Sequence, residues 1–173
     1  TVAARAARAG FDVLLASSDK DLLQVVGPGV SVIAPGNVEE RIGPAEVQAR
    51  TGVRPDQIVD WLALTGDQAD NIRGVPGIGP KTAARLLVRW PTLAELLAHL
   101  DEVEPEKTRV ALSESRALLA RNERLLRLRT DLEGLPDPER LRARAPDARR
   151  LLEVYETLNF QSLARALREP TLF

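Results

Sequence analysis

One stretch of the chain is suited to holding an anionic oxygen: Gly74-Val75-Pro76-Gly77-Ile78-Gly79-Pro80-Lys81-Thr82-Ala83. Gly77 and Gly79 flank an apolar residue directly before a predicted helix that begins at Pro80. Glycines allow a tight turn, and the free amides at a helix start favour a negatively charged group, so phosphate is the expected ligand. An interhelical turn with a glycine cap is the alternative. A Walker phosphate loop is excluded because its four-residue spacer before Gly-Lys is missing.

Basic residues accompany this hairpin, and no acid interrupts them. Within residues 71–94 the charged side chains are Arg73, Lys81, Arg85 and Arg89. Lys81 and Arg85 are four apart on one face of the predicted helix, where they could follow a DNA backbone without reading its sequence. A solvated helix face is the structural alternative.

Two pairs of aspartates form the second group of candidate residues. Asp19 and Asp21 follow a predicted strand, and Asp67 and Asp70 are three apart just before the hairpin. Each pair could instead cap a helix or a turn. Carboxylates at strand ends favour a hard ion such as Mg²⁺ or Mn²⁺. A histidine-based zinc site is excluded because His99 is the only histidine.

Composition narrows the class of protein. The 173 residues carry 24 Lys and Arg against 25 Asp and Glu, so any nucleic-acid surface must be local. Cysteine is absent, which excludes disulfides, thiolate metal sites and cysteine nucleophiles. No apolar run is long enough to suggest a membrane span or a membrane partner, and a cytoplasmic protein is expected.

The elements that position these residues change in type near residue 43. Residues 1–43 are predicted to form a partial α/β core, with a helix over 2–9, strands over 13–16 and 30–33, and a short helix over 22–26 between them. Residues 44–173 are predicted to be helical, and the hairpin lies at about 71–90. Helices are expected over 44–50, 55–64, 80–89, 92–100, 106–127, 147–158 and 161–167.

These motifs together resemble the 5′ nucleases, specifically the 5′-3′ exonuclease and flap endonuclease domain of the bacterial DNA polymerase I family. The resemblance covers nearly the whole chain. It is carried by the segments Ser18-Asp19-Lys20-Asp21-Leu22-Leu23-Gln24, Gly52-Val53-Arg54-Pro55-Asp56-Gln57, Leu64-Thr65-Gly66-Asp67-Gln68-Ala69-Asp70-Asn71, the hairpin, Leu128-Arg129-Thr130-Asp131 and Leu158-Asn159-Phe160-Gln161-Ser162-Leu163.

The resemblance implies a fold and a mechanism. The fold would be the carboxyl-terminal part of a PIN-like, helix-rich α/β nuclease core with a helix-hairpin-helix motif. Catalytic and metal-binding roles would fall to Asp19, Asp21, Asp67 and Asp70, with two divalent ions in phosphodiester hydrolysis. Duplex or flap DNA would contact Gly74, Val75, Gly77, Ile78, Gly79, Lys81, Thr82 and Arg85, with K⁺ at the hairpin carbonyls, and a polymerase domain could share the parent chain.

The chain also departs from the family pattern. The family's amino-terminal carboxylates and basic residues have no counterpart here, and the expected acidic motif would lie just before Thr1, which itself lies in a predicted helix. We therefore expect only part of an active site, and an inactive fragment if the chain is isolated. The rival interpretation is a non-catalytic helix-hairpin-helix module that binds duplex DNA.

Overall fold

The structure is a computed structural model that describes residues 1–143 and 145–168. The chain divides into two compact units, Thr1–Asp137 and Pro138–Phe173. Helices predominate, and the strands lie in the first unit, so the predicted helix-rich α/β class is confirmed. No helix among the described residues has the length and apolar character that crossing a membrane requires.

A three-stranded sheet forms the amino-terminal part of the first unit. Its strands are β1 (Val13–Ala16), β2 (Val30–Ala34) and β3 (Asn37–Ile42), with β2 in the middle. β1 and β2 are parallel, with Val13 opposite Val30, and β2 pairs antiparallel with β3. A parallel pair needs a crossover connection, and a 3₁₀ helix, Lys20–Val25, lies within it.

Helices make up most of the remaining structure. In the first unit they are α1 (Val2–Arg8), α2 (Pro44–Thr51), α3 (Ile58–Thr65), α4 (Pro80–Arg89), α5 (Leu93–Ala98), α6 (Glu106–Glu114) and α7 (Arg116–Leu126), with 3₁₀ helices at Pro55–Gln57 and Leu100–Glu102. A short antiparallel ribbon of β4 (Gly66–Asp67) and β5 (Ile72–Arg73) lies between α3 and α4. The second unit contains a 3₁₀ helix, Pro138–Leu141, followed by α8 (Ala148–Thr157) and α9 (Gln161–Arg168).

Helix α3 lies at the centre of the first unit's core. It packs against both α4 and α7, and its Ile58, Leu62 and Leu64 side chains are fully buried. Burying one such side chain contributes about 1.5–3 kcal/mol relative to leaving it exposed. The helix is therefore held on two sides, and its carboxyl end supports the ribbon and the hairpin that follow it.

Two buried polar side chains tie the amino end of α3 to the segment after α4. The Gln57 amide nitrogen donates hydrogen bonds to the carbonyls of Leu87 and Pro91, each at 2.9 Å. An Asp60 carboxylate oxygen accepts from the amide of Leu93, also at 2.9 Å. Since buried polar groups need partners, these bonds fix where α3 and α4 lie on either side of the hairpin.

Several predicted elements differ from the structure. Strand β3 and the ribbon β4–β5 were not expected, and the helix expected over 55–64 begins with a 3₁₀ turn. The single helix expected over 106–127 is two helices, because the backbone of the buried Ser115 (φ −93°, ψ 7°) leaves the α-helical conformation. The strand at 13–16 and the helix at 80–89 are confirmed.

Candidate metal and nucleic-acid site

The first aspartate pair lies directly after β1. Asp19 is the N-cap of the 3₁₀ helix Lys20–Val25, and its Oδ1 accepts a hydrogen bond from the Asp21 amide at 2.9 Å. The Asp19 amide itself donates to Ser17 Oγ at 3.1 Å. The pair therefore stands at the carboxyl end of a strand that is parallel to its neighbour, where ligands collect in α/β folds.

The second aspartate pair lies in the ribbon between α3 and α4. Asp67 is buried, and its Oδ1 accepts from the Ala69 amide at 2.8 Å. Its Oδ2 lies 3.6 Å from Lys20 Nζ, which belongs to the first segment. Asp70 is exposed at the turn. The Lys20 ion pair shows that the two segments, distant in sequence, meet in the fold.

The four carboxylates share one electrostatic field. The pKa of Asp21 is raised from 3.8 to about 6, chiefly by burial and then by the negative charges of Asp19, Asp70 and Asp67, while Lys20 lowers it. Asp21 Oδ1 is buried and has no hydrogen-bond partner among the described residues. Burying a carboxylate oxygen without a hydrogen-bond partner costs free energy unless the group is protonated or faces a cation.

The four aspartates do not form a complete shell of metal ligands. Within residues 1–143 and 145–168, no three His, Asp or Glu side chains are arranged so that they could hold a metal ion. Asp19 and Asp67 also perform the capping roles that are the structural alternative. Each capping bond uses one oxygen of the carboxylate, so capping and metal binding do not compete for the same atom.

The hairpin between β5 and α4 has buried apolar residues and an exposed turn. Val75 and Ile78 are buried, and the Val75 amide donates to the Leu64 carbonyl at 2.8 Å. Gly77 has φ +79°, a left-handed conformation in which glycine is not strained. Any contact of Val75 or Ile78 with DNA must therefore use the main chain, while their side chains anchor the turn.

The start of α4 is open to a ligand. Gly79 is its N-cap and Pro80 follows, and no side chain caps the helix. Because the first amides of an α-helix have no partner within the helix, those of Lys81 and Thr82 are available to an anion. The side chains of Lys81 and Arg85 are exposed. Backbone and side-chain donors thus lie together on one surface.

Two glycines bring the aspartate ribbon and the hairpin into direct backbone contact. A Cβ on Gly74 would lie 2.2 Å from the Thr65 carbonyl carbon and 2.6 Å from the Gly66 amide nitrogen. A Cβ on Gly66 would lie 2.4 Å from the Gly74 amide nitrogen. Both positions therefore require glycine, and the segment bearing Asp67 is held firmly against the hairpin.

Asn122 is a supporting residue that belongs to none of the motifs visible in the sequence. Its side chain on α7 is fully buried, and its Nδ2 donates to the carbonyls of Ala63 at 3.1 Å and Arg73 at 2.7 Å. These carbonyls lie on either side of the segment that carries the second aspartate pair. The signal was a polar residue three positions after the buried Leu119 and four before the buried Leu126.

With this geometry in place, comparison with known proteins identifies the family. Residues 53–149 match the family described as 5′-3′ exonuclease, C-terminal SAM fold. This chain belongs to that exonuclease family. The matched range contains Asp67, Asp70 and the hairpin, and the first aspartate pair lies outside it.

Individual relatives agree with this assignment. The thermostable DNA polymerase I of Thermus filiformis is 41% identical over 163 residues, which are 94% of this chain and 19% of that protein. A 5′-3′ exonuclease of Aquifex aeolicus is 35% identical over 90% of this chain and 52% of that protein. The chain therefore spans about a fifth of the polymerase relative and about half of the exonuclease.

A solved structure supports the same fold. The 5′-exonuclease of T5 with bound zinc ions has a TM-score of 0.63 and 26% sequence identity to this chain. The likeness covers 72% of this chain and 47% of the T5 chain. The exonuclease family assignment thus rests on sequence and on fold together.

Proposed function

We propose that this chain forms part of a structure-selective 5′ nuclease that hydrolyses DNA phosphodiester bonds at 5′ ends or flaps. The carrying observation is the convergence of two aspartate pairs, from separate segments, beside an open turn of the hairpin. The contact between Gly66 and Gly74 joins the two features. A nuclease needs both, because the scissile phosphate must be held where the carboxylates lie.

In this proposal the hairpin holds the DNA backbone. The main chain at Gly77 and Gly79 and the first amides of α4 bind a phosphate oxygen, and Lys81 and Arg85 supply positive charge beyond it. Gly74 acts by allowing close packing, and Thr82 contributes its amide. Such contacts carry no sequence information, which suits an enzyme that selects DNA by its shape.

The aspartates suit hard divalent ions. Their donors are all oxygen, as Mg²⁺ and Mn²⁺ prefer, and Asp21 Oδ1 is a buried acceptor without a partner among the described residues. Bound ions would activate the attacking water and neutralise the leaving oxygen. Since these residues form no complete shell, further carboxylates of the whole protein complete the site. Binding of K⁺ by the hairpin carbonyls stays a prediction.

A second candidate function is a non-catalytic module that binds duplex DNA. The observation in its favour is that Asp19 and Asp67 each accept a hydrogen bond from a nearby amide. Carboxylates that only stabilise turns would leave the hairpin as the sole functional element. The two functions differ in whether the carboxylates are needed for cleavage.

Cleavage of a labelled 5′-flap DNA by the whole protein in Mg²⁺ or Mn²⁺ tests the nuclease. We expect Asp67→Asn to slow cleavage by at least about 100-fold, because even loss of a residue that only orients a metal ligand costs 10–100-fold. Asp12→Asn is the matched control, since Asp12 lies before the opposite end of β1 and pairs with Arg41. Undiminished cleavage by Asp67→Asn would remove Asp67 from the mechanism. Binding without cleavage by the unaltered protein would favour the module.

Equilibrium binding to duplex DNA tests the role of the hairpin. We expect Lys81→Ala to weaken binding to unrelated sequences about equally and to reduce the salt dependence by roughly one phosphate contact, a slope change of about 0.9. A loss confined to one sequence would contradict backbone recognition.

The relatives also bear on the partner domain. The 41% identity to a DNA polymerase I supports a polymerase domain in the same whole protein, whereas the similarity to the Aquifex exonuclease supports a protein without one. The sequence of the full gene decides between these two arrangements.

A further inference from the structure

Several basic side chains of the first unit lack an acidic partner, whereas many others there have one. Surface pairs elsewhere are Arg41–Asp12, Arg50–Glu40, Arg54–Asp56, Arg89–Glu102, Arg109–Glu106, Arg127–Glu123 and Arg129–Asp131. Within the described part of the chain, no Asp or Glu pairs with Arg73, Lys81, Arg85, Arg121 or Arg124. Lys81 and Arg85 belong to the proposed hairpin contact, which leaves three arginines without a role.

Two of these arginines share the exposed face of α7. The opposite face is buried through Leu119, Asn122 and Leu126. Arg121 and Arg124 are three apart and therefore neighbours on the helix surface. The residues beside them on that face, at positions 117 and 120, are exposed alanines. Short side chains there let a large ligand approach the helix closely, so the arginines can reach it.

Asn122 connects this face to the hairpin. Its Nδ2 donates to the Arg73 carbonyl at 2.7 Å, and its Oδ1 accepts from Arg121 Nη2 at 3.2 Å. Arg73 directly precedes Gly74, where the hairpin begins. The Arg121 guanidinium therefore lies beside the backbone that leads into the proposed phosphate-binding turn.

We propose that Arg73, Arg121 and Arg124 form a second contact for the DNA backbone, continuous with the hairpin contact. We name these three residues the α7 surface. The inference rests on the proposed function, because it assigns the surface to the same DNA. Its ligand is the phosphodiester backbone of a duplex: α7 contains no aromatic residue on which an unpaired base could stack.

Binding measurements in EDTA, where no cleavage occurs, test the α7 surface. The first variant, Arg73→Gln with Arg124→Gln, leaves the hydrogen bond from Arg121 to Asn122 intact. We expect it to weaken binding to a duplex of several helical turns and to lower the salt slope by about 0.9 for each lost contact, about 1.8 in all. A second variant adds Arg121→Gln, and we expect the salt slope to fall by about 0.9 more, for one further lost contact.

Arg54→Gln is the matched control. It removes one positive charge from an exposed side chain near the amino end of α3, whereas Asn122 contacts Ala63 near the carboxyl end of that helix. We expect its binding and salt slope to match those of the unaltered protein. Thermal melting of each variant verifies that the fold is retained.

A parallel variant, Lys81→Gln with Arg85→Gln, separates this inference from the proposed function. Loss of binding in the hairpin variant but not in the α7 variants overturns the second contact and leaves the hairpin contact standing. Full binding by both overturns both proposals. If the α7 variants lose as much affinity for single-stranded DNA of the same length as for duplex, the assignment to duplex is contradicted. If Arg54→Gln weakens binding as much as the α7 variants do, only net charge matters and the second contact is overturned.

Discussion

Replacing Asn122 with alanine should loosen the segment that carries the second aspartate pair. The substitution removes two hydrogen bonds to main-chain carbonyls, of 3.1 Å to Ala63 and 2.7 Å to Arg73. Each contributes about 1 kcal/mol net, and a buried carbonyl left without a partner adds about 1–3 kcal/mol. We therefore expect the free energy of unfolding to fall by about 3–5 kcal/mol.

The loss of stability in Asn122→Ala should be local as well as global. Unfolding in urea gives the global change, and amide hydrogen exchange gives the local one. The Val75 amide is a suitable reporter, because it donates to the Leu64 carbonyl directly after the supported segment. In Asn122→Ala we expect this amide to exchange faster than the global loss of stability requires.

Leu119→Ala provides a control of similar size. Leu119 is fully buried on the same helix, and truncating a buried leucine costs about 2–5 kcal/mol through lost packing. It should lower global stability without selectively exposing Val75. A cost of less than about 0.5 kcal/mol for Asn122→Ala, or an equal response of Val75 exchange in the two variants, would contradict this anchoring role of Asn122.

Two further predictions follow from the site. Gly74→Ala should prevent the ribbon from packing against the hairpin, because the added Cβ would lie 2.2 Å from the Thr65 backbone. In Gly77→Ala the added Cβ meets no atom within 4 Å, so the substitution should cost only about 1–2 kcal/mol for the positive φ. Thermal melting that ranks the two variants in the opposite order would contradict this. Because the folded pKa of Asp21 is raised from 3.8 to about 6, the folded state binds its proton more tightly than the unfolded state, so stability should decline as pH rises across that interval. Asp21→Asn should flatten this decline in urea titrations, and an unchanged pH profile would show that Asp21 is not its source.

Local signals made several elements predictable. Proline at position 80 after Gly79 marks the start of α4, and the predicted range 80–89 is the observed one. The apolar run before Asp19 marks β1 equally well. These features depend on backbone preferences of neighbouring residues, which a sequence displays directly.

Periodicity alone could not reveal the break between α6 and α7. Leu112, Leu119 and Leu126 are spaced seven apart and all are buried, so the apolar pattern continues across Ser115 as it would in one helix. Strand β3 was missed for a related reason. Its pairing is with β2, and its sequence contains a run of charged residues at 39–41 that does not alternate with apolar ones.

The sequence by itself identified the glycine hairpin, the four aspartates as candidate metal ligands and the basic residues of α4. These features follow from residue identity and short spacing. Only the tertiary structure brought Asp67 close enough to Asp21 to raise its pKa. It also brought the backbones at Gly66 and Gly74 into contact, and it placed Asn122 where it bonds to both α3 and β5. Those contacts join residues that are far apart in the chain. Their distances depend on how the whole core packs, and no local pattern encodes that.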